Sequence, residues 1–222
     1  MNGRICVSRK VSQLSAIRPI LLFSLICMTL LCSSGKRVHA ADTLPDDMVK
    51  AGIATLADAA LVHGNRSESS ERGLEDAVRV FLAEYADVHY AARLILASYW
   101  EAATPEQHVR FVKAFNNLVA NRLVIFVPDV DFGSVRVESF LGDSGEIPLM
   151  IQATFRNSDR QTMHFVLVIH EREGRWVIFD VIAEGVSYVK TYRNQLSGEI
   201  GDIGLEAMIE RFELRSSGQG SG

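Results

Sequence analysis

The chain changes its hydrophobic rhythm once, near Pro128. Before that point apolar residues recur every three or four positions, the period of a helix with one buried face. Met48, Ile53, Leu56 and Ala60 mark a helix over 45–61. Leu74, Val78, Phe81, Leu82 and Tyr85 mark a second, and Leu94, Ile95, Tyr99 and Trp100 continue beyond a break near Asp87. The polar run HGNRSESSERG between the first two reads as a linker. Thr104-Pro105-Glu106-Gln107 is a helix start: Thr caps, Pro suits the first turn, and Gln completes a capping box. The helix it opens carries Phe111, Phe115, Leu118 and Val119 along one stripe.

After Pro128 the period drops to two. Residues 132–141, 147–155, 161–171 and 175–183 read as four strands of an antiparallel meander. Turns fall at Asp143-Ser144-Gly145, Asn157-Ser158-Asp159 and Glu173-Gly174. One face is oily: Val135, Val137, Leu149, Ile151, Ala153, Phe155, Met163, Phe165, Leu167, Ile169, Val177, Phe179 and Val181. The other carries Arg136, Glu138, Gln152, Thr154, His164, His170 and Asp180. Such a sheet buries one face under helices and leaves the other wetter. Helices over 186–196 and 205–215 close the chain, with Gly198, Gly201 and Gly204 between them. The expected architecture is therefore α+β, a single domain with a helical layer packed on a four-stranded antiparallel sheet.

The first forty residues add a different kind of information. They hold six Lys and Arg, no acid, and the apolar run ILLFSLICMTLLC, which is shorter than the roughly 20 residues that span a bilayer. Val38 and Ala40 occupy the small-residue positions that an export protease requires. The reading is a cleaved signal peptide, 1–40, a domain over 41–215 and a disordered tail over 216–222. Cleavage removes all three cysteines (Cys6, Cys27, Cys32), which excludes disulfides, thiolate metal sites and Cys nucleophiles. It also leaves 17 Lys and Arg against 27 Asp and Glu, a formal charge of −10. That balance opposes nucleic acid and tight adhesion to anionic membranes.

Little in the sequence offers catalysis. No histidine pair stands at i,i+4, and HExxH, GxSxG, P-loop and GxGxxG motifs are absent. His164 and His170 lie about 20 Å apart along a strand and read as surface residues. Asp180 points away from the oily face. Glu184-Gly185 reads as the corner closing the last strand, with Glu184 favouring the following helix N-terminus through its dipole. Neither acid is expected to act as a general acid, and no cofactor or metal is expected.

Three segments together resemble the MlaC, or toluene-tolerance, family of periplasmic phospholipid-binding proteins that serve ABC transporters. They are Leu96 to Trp100 with Ala103 to Gln107, Phe111, Phe115 and Leu118; Arg175 to Val181; and Glu184 to Val189 with Thr191 to Gln195. The resemblance implies a cone like that of nuclear transport factor, with a curved sheet, acyl chains between the layers and the head group near the mouth. It implies a non-enzymatic periplasmic carrier in a Gram-negative-type cell. Its partners would be an inner-membrane MCE-type ABC transporter and an outer-membrane lipoprotein complex. A carrier is needed because exposing about thirty methylenes at ~0.8 kcal/mol each costs on the order of 24 kcal/mol. The candidate lipid-binding residues are Val137, Leu149, Ile151, Phe165, Leu167, Phe179 and Val181 of the sheet, with Trp100, Phe111 and Phe115 of the helices. Lys190 and Arg193 are the head-group candidates. Alternatives are a hopanoid carrier of the HpnM type, a lipid-free transporter adaptor, and a small-molecule enzyme on the same cone.

Overall fold

The change of rhythm at Pro128 coincides with the border between helices and sheet. The computed structural model describes residues 44–63, 68–140 and 148–217, all within one unit spanning 40–222. The signal peptide, the turn at Asp143–Gly145 and residues 218–222 of the tail lie outside the described residues. Five helices come first: α1 (Pro45–His63), α2 (Glu68–Tyr85), α3 (Val88–Leu96), α4 (Ser98–Ala102) and α5 (Pro105–Phe126). A short 3-10 turn, Val127–Asp129, leads into β1 (Val130–Phe140), β2 (Leu149–Asn157), β3 (Thr162–Arg172), β4 (Arg175–Ala183) and β5 (Val186–Ser187). Helices α6 (Tyr188–Ile203) and α7 (Leu205–Ser216) finish the fold.

The strands form one antiparallel sheet in the order β1-β2-β3-β4-β5, so the sheet has five strands, not the four expected. The extra strand arises because Glu184 and Gly185, at φ 47° and 82°, make a tight two-residue turn that returns the chain against β4. The helix expected from Val186 consequently starts at Tyr188, capped by Ser187. Three other boundaries differ in ways that change the packing. Helix α2 begins inside the expected linker, at Glu68, and buries Ser70. Helix α6 runs through Gly198 and Gly201, so only Gly204, at φ 83°, separates it from α7. Helix α7 includes Ser216, whose carbonyl accepts from the Asn121 side chain.

Thr104 forms the expected capping box: its hydroxyl accepts from the Gln107 backbone while the Gln107 side chain accepts from its own. At Gly52 the absent side chain lets α1 lie close to α2, since a Cβ there would stand 2.9 Å from the Phe81 ring.

The apolar residues gather in three clusters. The first is built by α3 to α7 alone, around Phe111, Ile95, Leu96, Leu196, Met208 and Ile209. The second joins α1, α2, α5 and the 3-10 turn through Leu56, Leu74, Val78, Leu82, Ala120 and Val127. In the third, Met48 and Val49 of α1 lie on Ile151, Ile169 and Ile178 of the sheet. Half-buried side chains such as Phe81 and Val119 are what connect them.

The alternation along β4 is broken. Its register with β3 slips between the pairs Val168–Asp180 and Ile169–Ile178. A bulge of this kind moves the residues beyond it to the opposite face. Ile178 and Trp176 therefore pack with the oily face, in place of Val177 and Phe179. Phe179 instead meets Tyr90 of α3 and His170 edge-on, at 5.1 and 5.0 Å between ring centroids.

Candidate functional site

The sheet presents a continuous apolar row. Val137 pairs with Ala153, Ala153 with Phe165, Phe165 with Ala183, and Ala183 with Val186. Directly paired residues project to the same face, so one line of apolar side chains crosses all five strands. Ile151, Leu167 and Val181 form the neighbouring row. At the α1 end Met48, Val49 and Ile53 cover the sheet. At the α5 end Phe126 is the contact, with ring centroids 5.5 Å from Phe155 and 5.8 Å from Phe165, both rings tilted steeply. Phe155 and Phe165 stack at 5.2 Å. This aromatic trio lies outside all three core clusters, in the seam between helices and sheet.

The candidate residues are scattered, not gathered at one site. Val137, Leu149, Ile151, Leu167 and Val181 surround the α1–sheet cluster, and Phe165 lies in the seam. Trp100, Phe111 and Phe115 belong to the all-helical cluster, with His108 stacked on Trp100 at 3.9 Å. Phe179 lies on the other face against α3. Arg193 donates to the Leu94 carbonyl at 2.7 Å and, with Tyr90, Arg93 and Glu101, lines an open surface concavity of about 380 Å3. Lys190 is exposed. Phe126 and Phe155 were absent from the candidates; the oily alternation contained Phe155, but nothing local pointed Phe126 across to the sheet.

The polar groups singled out in the sequence are structural. Asp180 accepts from Val181 N at 2.8 Å, Ser187 Oγ at 2.6 Å and Val189 N at 3.0 Å, so this carboxylate, not Glu184, serves the first turn of α6. Glu184 instead accepts from His164 N at 2.9 Å, tying the β4–β5 turn to β3. His170 is not a surface residue. Its ring stacks on Tyr90 at 4.6 Å and its Nε2 lies 3.2 Å from buried Asp87, which also holds Arg172 at 3.0 Å. Among the described residues no group of three or more His, Cys, Asp or Glu could hold a metal, and no helix is long and apolar enough to cross a membrane.

A second ionic device joins α5 to α7. Arg110 donates to both oxygens of Glu213, at 3.1 and 2.7 Å, and also to Glu206, which accepts from Gln107 at 2.7 Å. Arg110 holds the Glu213 carboxyl below its ordinary value against the opposing effect of burial; Gln107, then Arg110, does the same for Glu206. A depressed folded-state pKa gives stability that is complete above the unfolded value and lost as pH falls through the folded one. The pairs are thus at full strength down to the ordinary glutamate value of 4.5 and fade below it. Thermal melts should show wild type losing stability more steeply below that pH than Arg110→Ala, with the two profiles parallel near neutrality. Parallel profiles throughout would mean the ion pairs do not couple to folding.

The model of a family described as "MlaC protein" matches residues 55–213. The intermembrane phospholipid transport system binding protein MlaC of Haemophilus influenzae is 21% identical over 198 residues, 88% of this chain and 92% of that protein. The solved structure of a phospholipid-binding protein from Ralstonia solanacearum, in complex with a phospholipid, superposes with a TM-score of 0.65 at 16% identity. It covers 81% of this chain and all of that one.

Proposed function

The chain belongs to the MlaC family, and on that premise we propose that it is a periplasmic, non-enzymatic phospholipid carrier. It takes lipid between the outer membrane and an inner-membrane ABC transporter of the MCE type, with an outer-membrane lipoprotein complex as the second docking partner. The names of the relatives support the ligand class: one is a phospholipid transport binding protein and another was solved holding a phospholipid.

The observation that carries the reading is the apolar row across all five strands, met at one end by α1 and at the other by Phe126. Acyl chains run in this seam, along Val137, Leu149, Ile151, Phe165, Leu167 and Val181, with the sheet and α5 drawing apart as the two halves of a cone. The aromatic trio yields to the chains because it lies outside the three clusters and two of its rings, Phe126 and Phe165, are only half-buried. Trp100, Phe111 and Phe115 hold the helical scaffold behind the seam.

Native mass spectrometry tests this directly, using the chain from Ala41 purified from a bacterial periplasm without detergent. A phospholipid-sized adduct, released on denaturation, is the expected result. Removing the lipid should lower the melting temperature, because a ligand bound only by the folded state adds RT ln(1 + [L]/Kd) to stability. A bare mass that phospholipid vesicles cannot change would overturn the proposal.

A further inference from the structure

The apolar row does not end inside the protein. It passes through Ala153, 8% exposed, and finishes at Val186, 58% exposed, on a strand of two residues whose outer edge pairs with no further strand among the described residues. Tyr188, two residues on, is 50% exposed. Helix α5 reaches the row at β3, two strands in from this edge. Phe126 touches Phe165 in the row, and Arg122 stands one turn earlier on the same helix face; burial pushes the Tyr192 hydroxyl above its ordinary value, and the Arg122 charge opposes that rise. Tyr192 lies one turn beyond Tyr188 on α6. Arg122 is itself exposed, and none of the ion pairs among the described residues involves it.

We infer that the phospholipid enters and leaves at this free β5 edge, between Val186 and Tyr188 on one side and Phe126 and Arg122 on the other, with the lipid phosphate meeting the Arg122 guanidinium. The inference rests on the carrier reading and places the mouth of that carrier. The order of side chains follows the order of chemistry along a phospholipid. Phe165, Ala183, Phe126 and Val186 suit methylenes. Tyr188, an amphipathic ring of the kind found where bilayer meets water, suits the ester region. Arg122 supplies the planar fork of donors that recognises phosphate.

The cations named from the sequence fit this role less well. Arg193 is committed to the Leu94 carbonyl, and the concavity it lines is shared with Arg93 and Glu101, themselves 3.8 Å apart. No residue of that concavity belongs to the apolar row.

The experiment follows uptake of fluorescently labelled phosphatidylethanolamine from vesicles of phosphatidylethanolamine and phosphatidylglycerol. It compares the full mature chain with V186E/Y188E. Both positions are exposed, so the double variant keeps its fold. A V80E/V109E variant, altered at positions 54% and 68% exposed on α2 and α5, controls for added charge. The rim variant should load roughly tenfold more slowly but reach the same final occupancy, since an acid in the path must be desolvated as the chains pass. The control should match wild type. In a second measurement, Arg122→Gln should weaken retention of phospholipid by about tenfold, the worth of a charge-assisted hydrogen bond, and leave diacylglycerol, which lacks phosphate, unaffected. If wild type loads and the rim variant keeps pace within about twofold, the mouth lies elsewhere and the carrier reading stands. Should wild type neither carry nor take up lipid, the carrier reading falls and the inference falls with it.

Discussion

Asp87→Ala is expected to destabilise the protein by about 2–3 kcal/mol, the sum of a lost helix cap and lost charge-assisted hydrogen bonds. The residue does several things at once. Its Oδ1 accepts from Tyr90 N at 2.9 Å and caps α3, its backbone N–H donates to the Ile178 carbonyl at 2.7 Å, and its carboxylate receives both Arg172 and His170. The backbone tie survives substitution; the other contacts do not. The carboxylate side chain is only 5% exposed, but Arg172 is 36% exposed and can turn to water, which limits the loss. Asp87→Asn separates the contributions, because its amide oxygen still caps α3 while the charge is gone. Urea unfolding should place it between wild type and the alanine variant. A cost for Asp87→Ala below about 1 kcal/mol, no more than an ordinary cap, would mean that the pairing with Arg172 and His170 contributes nothing.

Filling the seam should abolish lipid binding without unfolding the protein. Ala153 sits mid-row, paired with Val137 and Phe165. In a close-packed core Ala153→Trp would cost about 1–3 kcal/mol or more through forced rearrangement. In a seam that opens for acyl chains, the indole takes the space of the chains instead. The expected outcome is a melting temperature close to that of lipid-free wild type, with phospholipid occupancy reduced by about tenfold or more, a loss of roughly 1.4 kcal/mol or greater in binding. A collapse in melting temperature together with loss of lipid would identify the row as ordinary core. Retention of lipid would place the acyl chains elsewhere.

Local chemistry was readable wherever it was settled by neighbours in the chain. The capping box at Thr104 needs only residues 104–107, and the hairpin at Glu173-Gly174 needs only two residues able to adopt positive φ, observed at 53° and 76°. The β4 bulge was invisible because it is a relation between β4 and β3, not a property of either. A strict alternation through Val177, Phe179 and Val181 looks unbroken until the partner strand slips. The surroundings of His170 were hidden for the same reason: Asp87 is 83 residues away. The fifth strand is two residues long and has no periodicity to detect. For the candidate site, the sequence marked out the sheet side, whose residues alternate visibly. It did not separate Trp100, Phe111 and Phe115, which serve an all-helical core, from Phe126, which reaches the sheet, because all four stand on helical stripes of the same kind.

The helical cluster has a further consequence. Every buried member of it comes from α3 to α7, and none from a strand. The scaffold thus has its own source of rigidity, and the sheet rows can vary in bulk without loosening it. On the proposed carrier reading, such a division would let ligand choice drift while the architecture is kept. Chains of this kind should tolerate exchange among small and large apolar residues at Ala153, Phe165 and Ala183 far better than at Phe111, Leu196 or Met208. A change of cargo would then reside in one face of one sheet.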